Sequence, residues 1–569
     1  MEKKWQIATP VTSDIETFRS ALGISRLMAL ILKGRGIDTV QGGALFLKPA
    51  LSAMRDPFSL KGMEAAVERV VRARTAGERI CIYGDYDVDG ISGTALLVSF
   101  LRQIGSDCGY FIPNRFDDGY GLNRDSLQQI FDGGATLVIS VDCGIVSVAE
   151  AAFCRQAAVD LIILDHHTPG MVIPDAVAVV NPLQPGCAYP FKLLAGVGVA
   201  FNLLVALRSR MRKEGLFAPG QEPDLRDWLD LVALGTIADV VPLQDQNRMY
   251  AYFGLQKLEQ GGRAGIAALK RVAGVTDGVT CGQVGFRLAP RLNAAGRMES
   301  AVPGVDLLLG IDERENTRIA DELDAANAER QIVEKSILEQ AITLVEESGL
   351  HPACRSIVLA SREWHQGVIG IVASRLVERY HRPTILIAID EQGYGKGSGL
   401  SIPGFHLLEA LNGCAGYLTR FGGHRYAAGV GLPEDRIDGF VAAFEAEALK
   451  VLGPGELLPS LAIDAVVDPK ELDLALAEEL QRLEPFGSGN PEPTFMLRGV
   501  TVSERRVVGD GHLKLRVLAQ GKSFNAIAFR QADISTDGIL DIAFFPEGNR
   551  WNNITTLQLR IKAIRGCTP

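Results

Sequence analysis

Three aspartates at every second position, Asp85, Asp87 and Asp89, lie where a strand-like run gives way to a helix-like one. This junction constrains the chain more than any other stretch. Residues 79–83 read as a buried strand and residues 91–100 as a helix. Strand-type alternation directs the three carboxylates to one side. Like charges held so close repel each other and lose hydration. A divalent cation relieves both, and oxygen-rich sites suit Mg²⁺ or Mn²⁺. The competing reading is a turn whose aspartates cap the following helix, but a cap needs one such residue and not three.

The same strand–loop–helix pattern recurs. Apolar runs at 136–141 and 161–164 end directly in Asp142 and in Asp165, His166 and His167. Strands alternating with helical segments predict a mostly parallel sheet. Ligands of such sheets gather outside the carboxyl ends of the strands, so three acidic clusters converge on one rim. Asp239 stands alone in the apolar run 231–243. An unpaired buried carboxylate is costly, so it either binds a metal or makes a buried hydrogen-bonded cap.

A chain of 569 residues exceeds one ordinary core, and about three to four domains is the expectation. No apolar stretch reaches the roughly 18–20 residues that span a bilayer. Residues 1–5 are not followed by an apolar core of signal-peptide type. Nine cysteines without a C-x-x-C pair argue against a zinc ribbon and a disulfide framework. A cytoplasmic protein without membrane partners is therefore expected. The net charge of −10 is awkward for a nucleic-acid enzyme. Part of the acidity sits in the metal cluster, and local bases such as Arg287, Arg291 and Arg297 must then serve any polyanion.

Along the chain, residues 1–60 read as a helical lead-in, 61–310 as the first α/β unit and 311–348 as a connecting helix. A second α/β unit covers 349–456 and a small all-β domain 457–569. The second unit holds Ser374 and Arg375 and a glycine-rich run, 421–429 (FGGHRYAAG), in which His424 and Arg425 raise the odds of anion binding. In the β domain Phe524, Phe529, Phe544, Phe545 and Trp551 are mostly core. One or two exposed rings beside Lys514, Arg516 or Arg550 would give a base-stacking platform.

On one rim, Asp85, Asp87, Asp89, Asp142, His166 and Asp239 offer carboxylates and an imidazole to two divalent cations. Such a pair activates water and stabilises a leaving oxygen. Histidine among carboxylates favours Mn²⁺ over Mg²⁺. Asp165 is placed to orient a ring, and His167 serves as ligand, proton donor or support. The matching reaction is hydrolysis of a phosphodiester or phosphoanhydride. No G-x-S-x-G elbow and no G-x-x-x-x-G-K-[ST] loop is present.

The segments 87–90 (DVDG), 141–142, 165–167 (DHH) and 236–239 (TIAD) resemble the four motifs of the DHH phosphoesterase superfamily. The run 422–429 resembles its associated substrate-binding (DHHA1) domain. Residues 83–90, 113–122 (PNRFDDGYGL), 291–298 (RLNAAGRM) and 484–491 (EPFGSGNP) are similar to segments of the bacterial RecJ exonuclease family. The resemblance implies a parallel-sheet DHH catalytic domain, a connecting helix, a DHHA1 domain and a C-terminal OB-fold barrel. It implies a single-stranded-DNA-specific exonuclease of recombination and repair, running 5′ to 3′ to mononucleotides with two Mn²⁺ or Mg²⁺ ions. Asp87, Asp89, Asp142, His166 and Asp239 would be metal ligands, with Asp85 adjacent. Tyr83 stands where related phosphoesterases often carry a ligating histidine. Arg115, Arg297, Ser374 and Arg375 would contact the terminal phosphate or nearby backbone, and His424 the phosphate near the cut. A single-strand-binding protein and a RecQ-type helicase are candidate partners on the same ground. The rivals are a DHH-type enzyme for short RNA or small phosphorylated molecules, which usually lacks the β domain, and a non-catalytic single-strand-binding scaffold.

Overall fold

The computed structural model describes residues 3–9, 14–115, 119 and 121–567, with residues 350 and 351 as backbone only. Residues 116–118 and 120 of the 113–122 motif, and residues 1 and 2, lie outside the described set.

The strands Ile80–Gly84, Cys108–Phe111, Leu137–Val141, Asp160–Leu164 and Ala178–Val180 form one five-stranded sheet. All its pairings are parallel. Ile80 and Ile82 enter one core while Cys81 and Tyr83 enter another, as a sheet covered on both faces requires. From the strand Ile80–Gly84 the chain goes first to one neighbour, Cys108–Phe111, and then to the other, Leu137–Val141. The order therefore reverses there, which is the ligand-binding switch point of open α/β sheets. Gly84 pairs with Val141 and Val141 with Leu164. The next residue on each strand is Asp85, Asp142 or Asp165, so register alone sets the three acids side by side.

The expected connecting helix is Glu313–Glu347, 35 residues capped by Asp312, or about 52 Å long. Ile319, Ala320 and Leu323 join the core of the first lobe, whereas Ile337, Ala341 and Val345 join the core of the second lobe. One rigid rod thus sets the spacing of the lobes. The second lobe is a mixed sheet in the order Arg420–Gly423, Ala427–Pro433, Tyr394–Leu400, Thr384–Ile389, Ile357–Ser361.

At the C-terminal end, strands Phe495–Val508, His512–Ala519, Lys522–Ala528, Ile554–Gly566 and Leu540–Trp551 pair in sequence. The first also pairs with the last, which closes a barrel. The N-terminal segment packs here as well: Lys4–Ile7 pairs with Ser460–Ile463, and Phe18, Leu27 and Leu32 share a core with Phe495 and Phe544. The 484–491 motif docks this assembly on the first lobe. Buried Arg248 donates to the carbonyls of Leu483 (2.8 Å), Glu484 (2.6 Å) and Phe46 (3.2 Å). Of the barrel aromatics, Phe524, Phe544 and Phe545 are core, while Phe529 and Trp551 are exposed at 47% and 75%. No helix among the described residues is long and apolar enough to cross a membrane.

Candidate metal centre and substrate cleft

The helix after the first strand begins earlier than its apolar pattern indicates, at Val88 rather than 91. Strand alternation therefore stops at Gly84, and the three aspartates do not share one side. Asp85 directly follows the strand. Asp87 caps the helix, accepting from the amides of Asp89 (2.9 Å) and Gly90 (3.1 Å), so the capping reading holds for this residue. Asp89, in the first turn, accepts from Gly196 (2.6 Å) and Val197 (2.8 Å) at the start of the helix Gly196–Lys213. Amides at a helix start suit an anion.

The acids sort into overlapping clusters. Ligand atoms of Asp85, Asp87 and Asp142 lie within 4.8 Å of one another, as do those of Asp89, His166 and Asp239, and those of Asp142, His166 and His167. Asp142 joins the clusters: His166 Nε2 is 3.1 Å from its Oδ1 and 3.6 Å from Asp239 Oδ2. Its backbone is left-handed, with φ 64°, and a Cβ on Gly196 would stand 2.8 Å from its own Cβ. Asp239 is the C-cap of the helix Leu229–Ala238, where the helix dipole gives a carboxylate no support, so its place in the apolar run is not explained by capping.

Burial dominates the electrostatics. It lifts Asp85, Asp142 and Asp239 well above the carboxylate range, with neighbouring aspartates adding to it. Burial and the charge of Asp87 bring Asp89 to about 7, although its two amide bonds oppose the rise. Burial, helped by His167, lowers His166 to about 4, so its imidazole is neutral and able to ligate. Asp85 Oδ1, His166 Nε2 and Asp239 Oδ2 are buried without a hydrogen-bond partner among the described residues. Buried polar atoms are rarely left so, and this donor set of oxygens plus one imidazole fits divalent Mn²⁺ or Mg²⁺.

Asp165 supports the cluster from behind. It accepts from the amides of Ile145 (2.9 Å), His166 (2.7 Å) and His167 (3.1 Å) and holds His167 Nδ1 at 2.8 Å. Burial alone would raise its pKa, but His167 holds it below the usual range. Burial opposes protonation of His167, yet the bond to Asp165 keeps its pKa raised. Tyr83 faces the other core, its hydroxyl donating to Gly121 O at 3.0 Å.

A cleft of about 870 Å³ opens between the lobes, lined by Tyr86, Arg115, Gln366, Lys396, Arg420 and Phe421 and by glycine backbone, with no acid among the described residues of its lining. Gly422, Gly429 and Ser398 are in register across three strands, as are Arg420, Gly431 and Lys396. Residues in register share a face. A Cβ on Gly422 would meet nothing within 4 Å, and one on Gly429 only Gly397 O at 3.9 Å. The face is therefore paved with backbone and edged with cations. Lys396 and Arg420 escaped the sequence reading; their signal is a base placed just before each glycine run.

His424 follows the strand Arg420–Gly423, and burial and then the charge of His167 lower its pKa. The Arg115 guanidinium stacks over Tyr86 at 5.0 Å. Burial, then Arg115, lowers Arg297 to about 10. Arg287 and Arg291 are not brought to the site. Arg287 donates to Gly274 O (2.9 Å), and Arg291 pairs with Asp324 at 2.8 Å. Ser374 and Arg375 lie on the second-lobe helix Ile369–Tyr380. Ser374 is half-buried there, and exposed Arg375 pairs with Glu334 (3.2 Å) and Glu378 (3.4 Å).

Comparison with known proteins agrees with this architecture. Residues 79–236 match the DHH family, N-terminal domain; 354–450 the DHHA1 domain; and 463–563 the RecJ OB domain. The chain is 38% identical to the single-stranded-DNA-specific exonuclease RecJ of Bacillus subtilis, covering 98% of this chain and 70% of that one. It is also 38% identical to the Escherichia coli protein of the same name, over 94% and 92%. The crystal structure of RecJ in complex with Mn²⁺ from Thermus thermophilus superposes with a TM-score of 0.84 at 32% identity, covering all of this chain and 80% of that one.

Proposed function

The chain belongs to the RecJ family of the DHH phosphoesterases, and from that premise we propose that it is a metal-dependent exonuclease that degrades single-stranded DNA from its 5′ end to mononucleotides, in recombination and repair. The observation that carries the reading is the convergence of Asp85, Asp87, Asp89, Asp142, Asp239 and His166, with Asp85 Oδ1, His166 Nε2 and Asp239 Oδ2 buried without a hydrogen-bond partner among the described residues. Asp85, Asp87 and Asp142 would hold one Mn²⁺ or Mg²⁺ ion, and Asp89, His166 and Asp239 the other. A bound pair of this kind activates water and neutralises charge on the phosphoryl oxygens.

The residues of the chain do the rest. Asp165 fixes His167 by Nδ1, which leaves Nε2 to protonate the leaving 3′ oxygen as water bonds to phosphorus. His424, across the cleft, holds the phosphate being cut. Arg115 and Arg297 take the phosphate of the end nucleotide and so set polarity, since guanidinium matches phosphate geometry. The strand lies on the glycine-paved face between Lys396 and Arg420, where a bare backbone leaves room for one strand. The exposed rings Phe529 and Trp551 offer stacking of modest sequence preference. We assign the enzyme to the cytoplasm, with single-strand-binding protein and a RecQ-type helicase as partners.

A time course on oligonucleotides labelled at either end, with Mn²⁺ and with EDTA, tests this. Mononucleotide label released at once from the 5′ end, only with metal, is expected. Release first from the 3′ end, or cleavage in EDTA, refutes it.

A further inference from the structure

The chain leaves the helix that ends at Asp239 through a strained residue. Val240 has φ 60°, a left-handed backbone in which a β-branched residue is an outlier. Glycine is the usual residue just past a helix end in that conformation. No core holds the side chain in exchange, because Val240 is 67% exposed. Such strain persists only where the surroundings over-determine it. On the near side the helix is fixed: the Asp239 amide donates to Gly235 O at 2.9 Å and the Val240 amide to Ile237 O at 3.2 Å. A carboxylate at the negative end of a helix gains nothing from the dipole, so whatever aims Asp239 comes from beyond the helix.

On the far side the 484–491 motif fixes it. The Leu243 amide donates to Ser488 O at 2.7 Å, and Gln244 Nε2 donates to Gly489 O at 3.1 Å. Both glycines of that loop lie against the segment. A Cβ on Gly487 would stand 2.7 Å from Leu243 Cδ1, and one on Gly489 2.7 Å from Pro242 Cβ. Pro242 also accepts from Asn247 Nδ2 at 3.1 Å, and a proline directs the residue before it, here Val241, to extended backbone. The loop itself is held from two directions. Buried Asn490 donates from Nδ2 to Leu483 O (2.9 Å) and Pro485 O (2.8 Å), and Arg248 bonds the same carbonyls from the first lobe. The four steps from Asp239 to Leu243 reach at most about 14 Å. The acid is thus tied to the dock of the barrel by a short arm that begins in a strained turn.

We propose that Val240 is a positioning residue: it aims the carboxylate of Asp239, and the segment 240–243 carries the docking of the barrel to the metal site of Asp89, His166 and Asp239. Glycine would relieve the turn but leave the arm free to swing; valine confines it. Coupling between two sites is reciprocal. An ion at Asp239 therefore tightens the seat of the 484–491 motif by the factor with which that seat tightens the ion. This inference rests on the metal-dependent nuclease reading, but metal binding and stability report on it without cleavage.

The experiment titrates Mn²⁺ into the full-length protein by calorimetry and records melting without the ion, for the wild type and for Val240→Gly, Val240→Asn and Gly487→Ala. Two Mn²⁺ sites are expected in the wild type. Val240→Gly should raise the metal-free melting temperature by about 1–3 °C as the strain is relieved. One of its two sites should weaken about tenfold, as when the support of a metal ligand is lost. A residue with a purely structural role would move stability and affinity in the same direction. Val240→Asn tolerates a left-handed backbone and keeps a side chain, so it should retain most of the affinity. Gly487→Ala touches no metal ligand but pushes on Leu243, and it should weaken the same site by a smaller factor. Sites unchanged in both Val240→Gly and Gly487→Ala, an equal loss at both sites, or a melting temperature that falls together with affinity in Val240→Gly overturns the proposal and leaves the nuclease reading standing. A wild type that binds no Mn²⁺ overturns that reading and the proposal with it.

Discussion

The acid rim and the glycine-paved face lie across one cleft and are built by opposite means. The rim is over-determined: sheet register aligns Asp85, Asp142 and Asp165, helix starts hold Asp87 and Asp89, and Asp165 alone serves three amides and a ring. The opposing face works by omission, with backbone where side chains would stand and cations only at the edge. The comparison teaches that reacting groups need fixed positions, whereas a polymer that must slide needs an unobstructed floor. Changes to the rim should therefore alter chemistry and metal affinity. Changes to the floor should alter only how the strand is held.

The strongest way to break this contrast is Asp142→Ala, which removes the residue joining the metal clusters. Cleavage should fall by about 10³-fold or more, with single-strand binding by fluorescence anisotropy intact. Next is Asp165→Asn, which loosens His167 as proton donor; cleavage should drop about 10²-fold, with Mn²⁺ affinity by calorimetry held. A paired glycine test sharpens the contrast. Gly196→Ala drives a Cβ to 2.8 Å from that of Asp142, and should cost about 1–3 kcal/mol of stability along with metal affinity. Gly422→Leu enters open space, so the melting temperature should hold while KM for single strands rises about tenfold.

The smallest effect is on pH. Asp89 is raised to about 7 by burial and Asp87. Between about pH 4 and 7 the folded, metal-free protein keeps a proton that the unfolded chain has lost. Its stability therefore falls as pH rises through that window, because Asp85, Asp142 and Asp239 are raised in the same sense and together outweigh His166, whose lowered pKa acts the other way. Melting curves without metal should show the decline. Adding Mn²⁺ should reverse it, and its stabilising effect should grow with pH because metal displaces protons.

Much of this was legible in the sequence because local rules governed it. Apolar runs ending in Asp85, Asp142 and Asp165 marked the rim, and a stretch free of Gly and Pro marked the connecting helix. The helix start at Val88 was not legible, since the Asp87 cap and the amides at Gly196 fix it rather than apolar spacing. Nor was the fate of Arg287 and Arg291, whose carbonyl and carboxylate partners come from elsewhere in the fold. The 484–491 motif showed no role until Arg248, more than two hundred residues earlier, was seen bonding its carbonyls.

The central claim is that Asp142 joins two metal sites, and anomalous diffraction from a manganese-soaked crystal tests it most directly. The account predicts two peaks, one beside Asp85 and Asp87 and one beside Asp89, His166 and Asp239, with Asp142 reaching both. A soaked crystal with no peak among these side chains, or with both ions bound elsewhere, would contradict it.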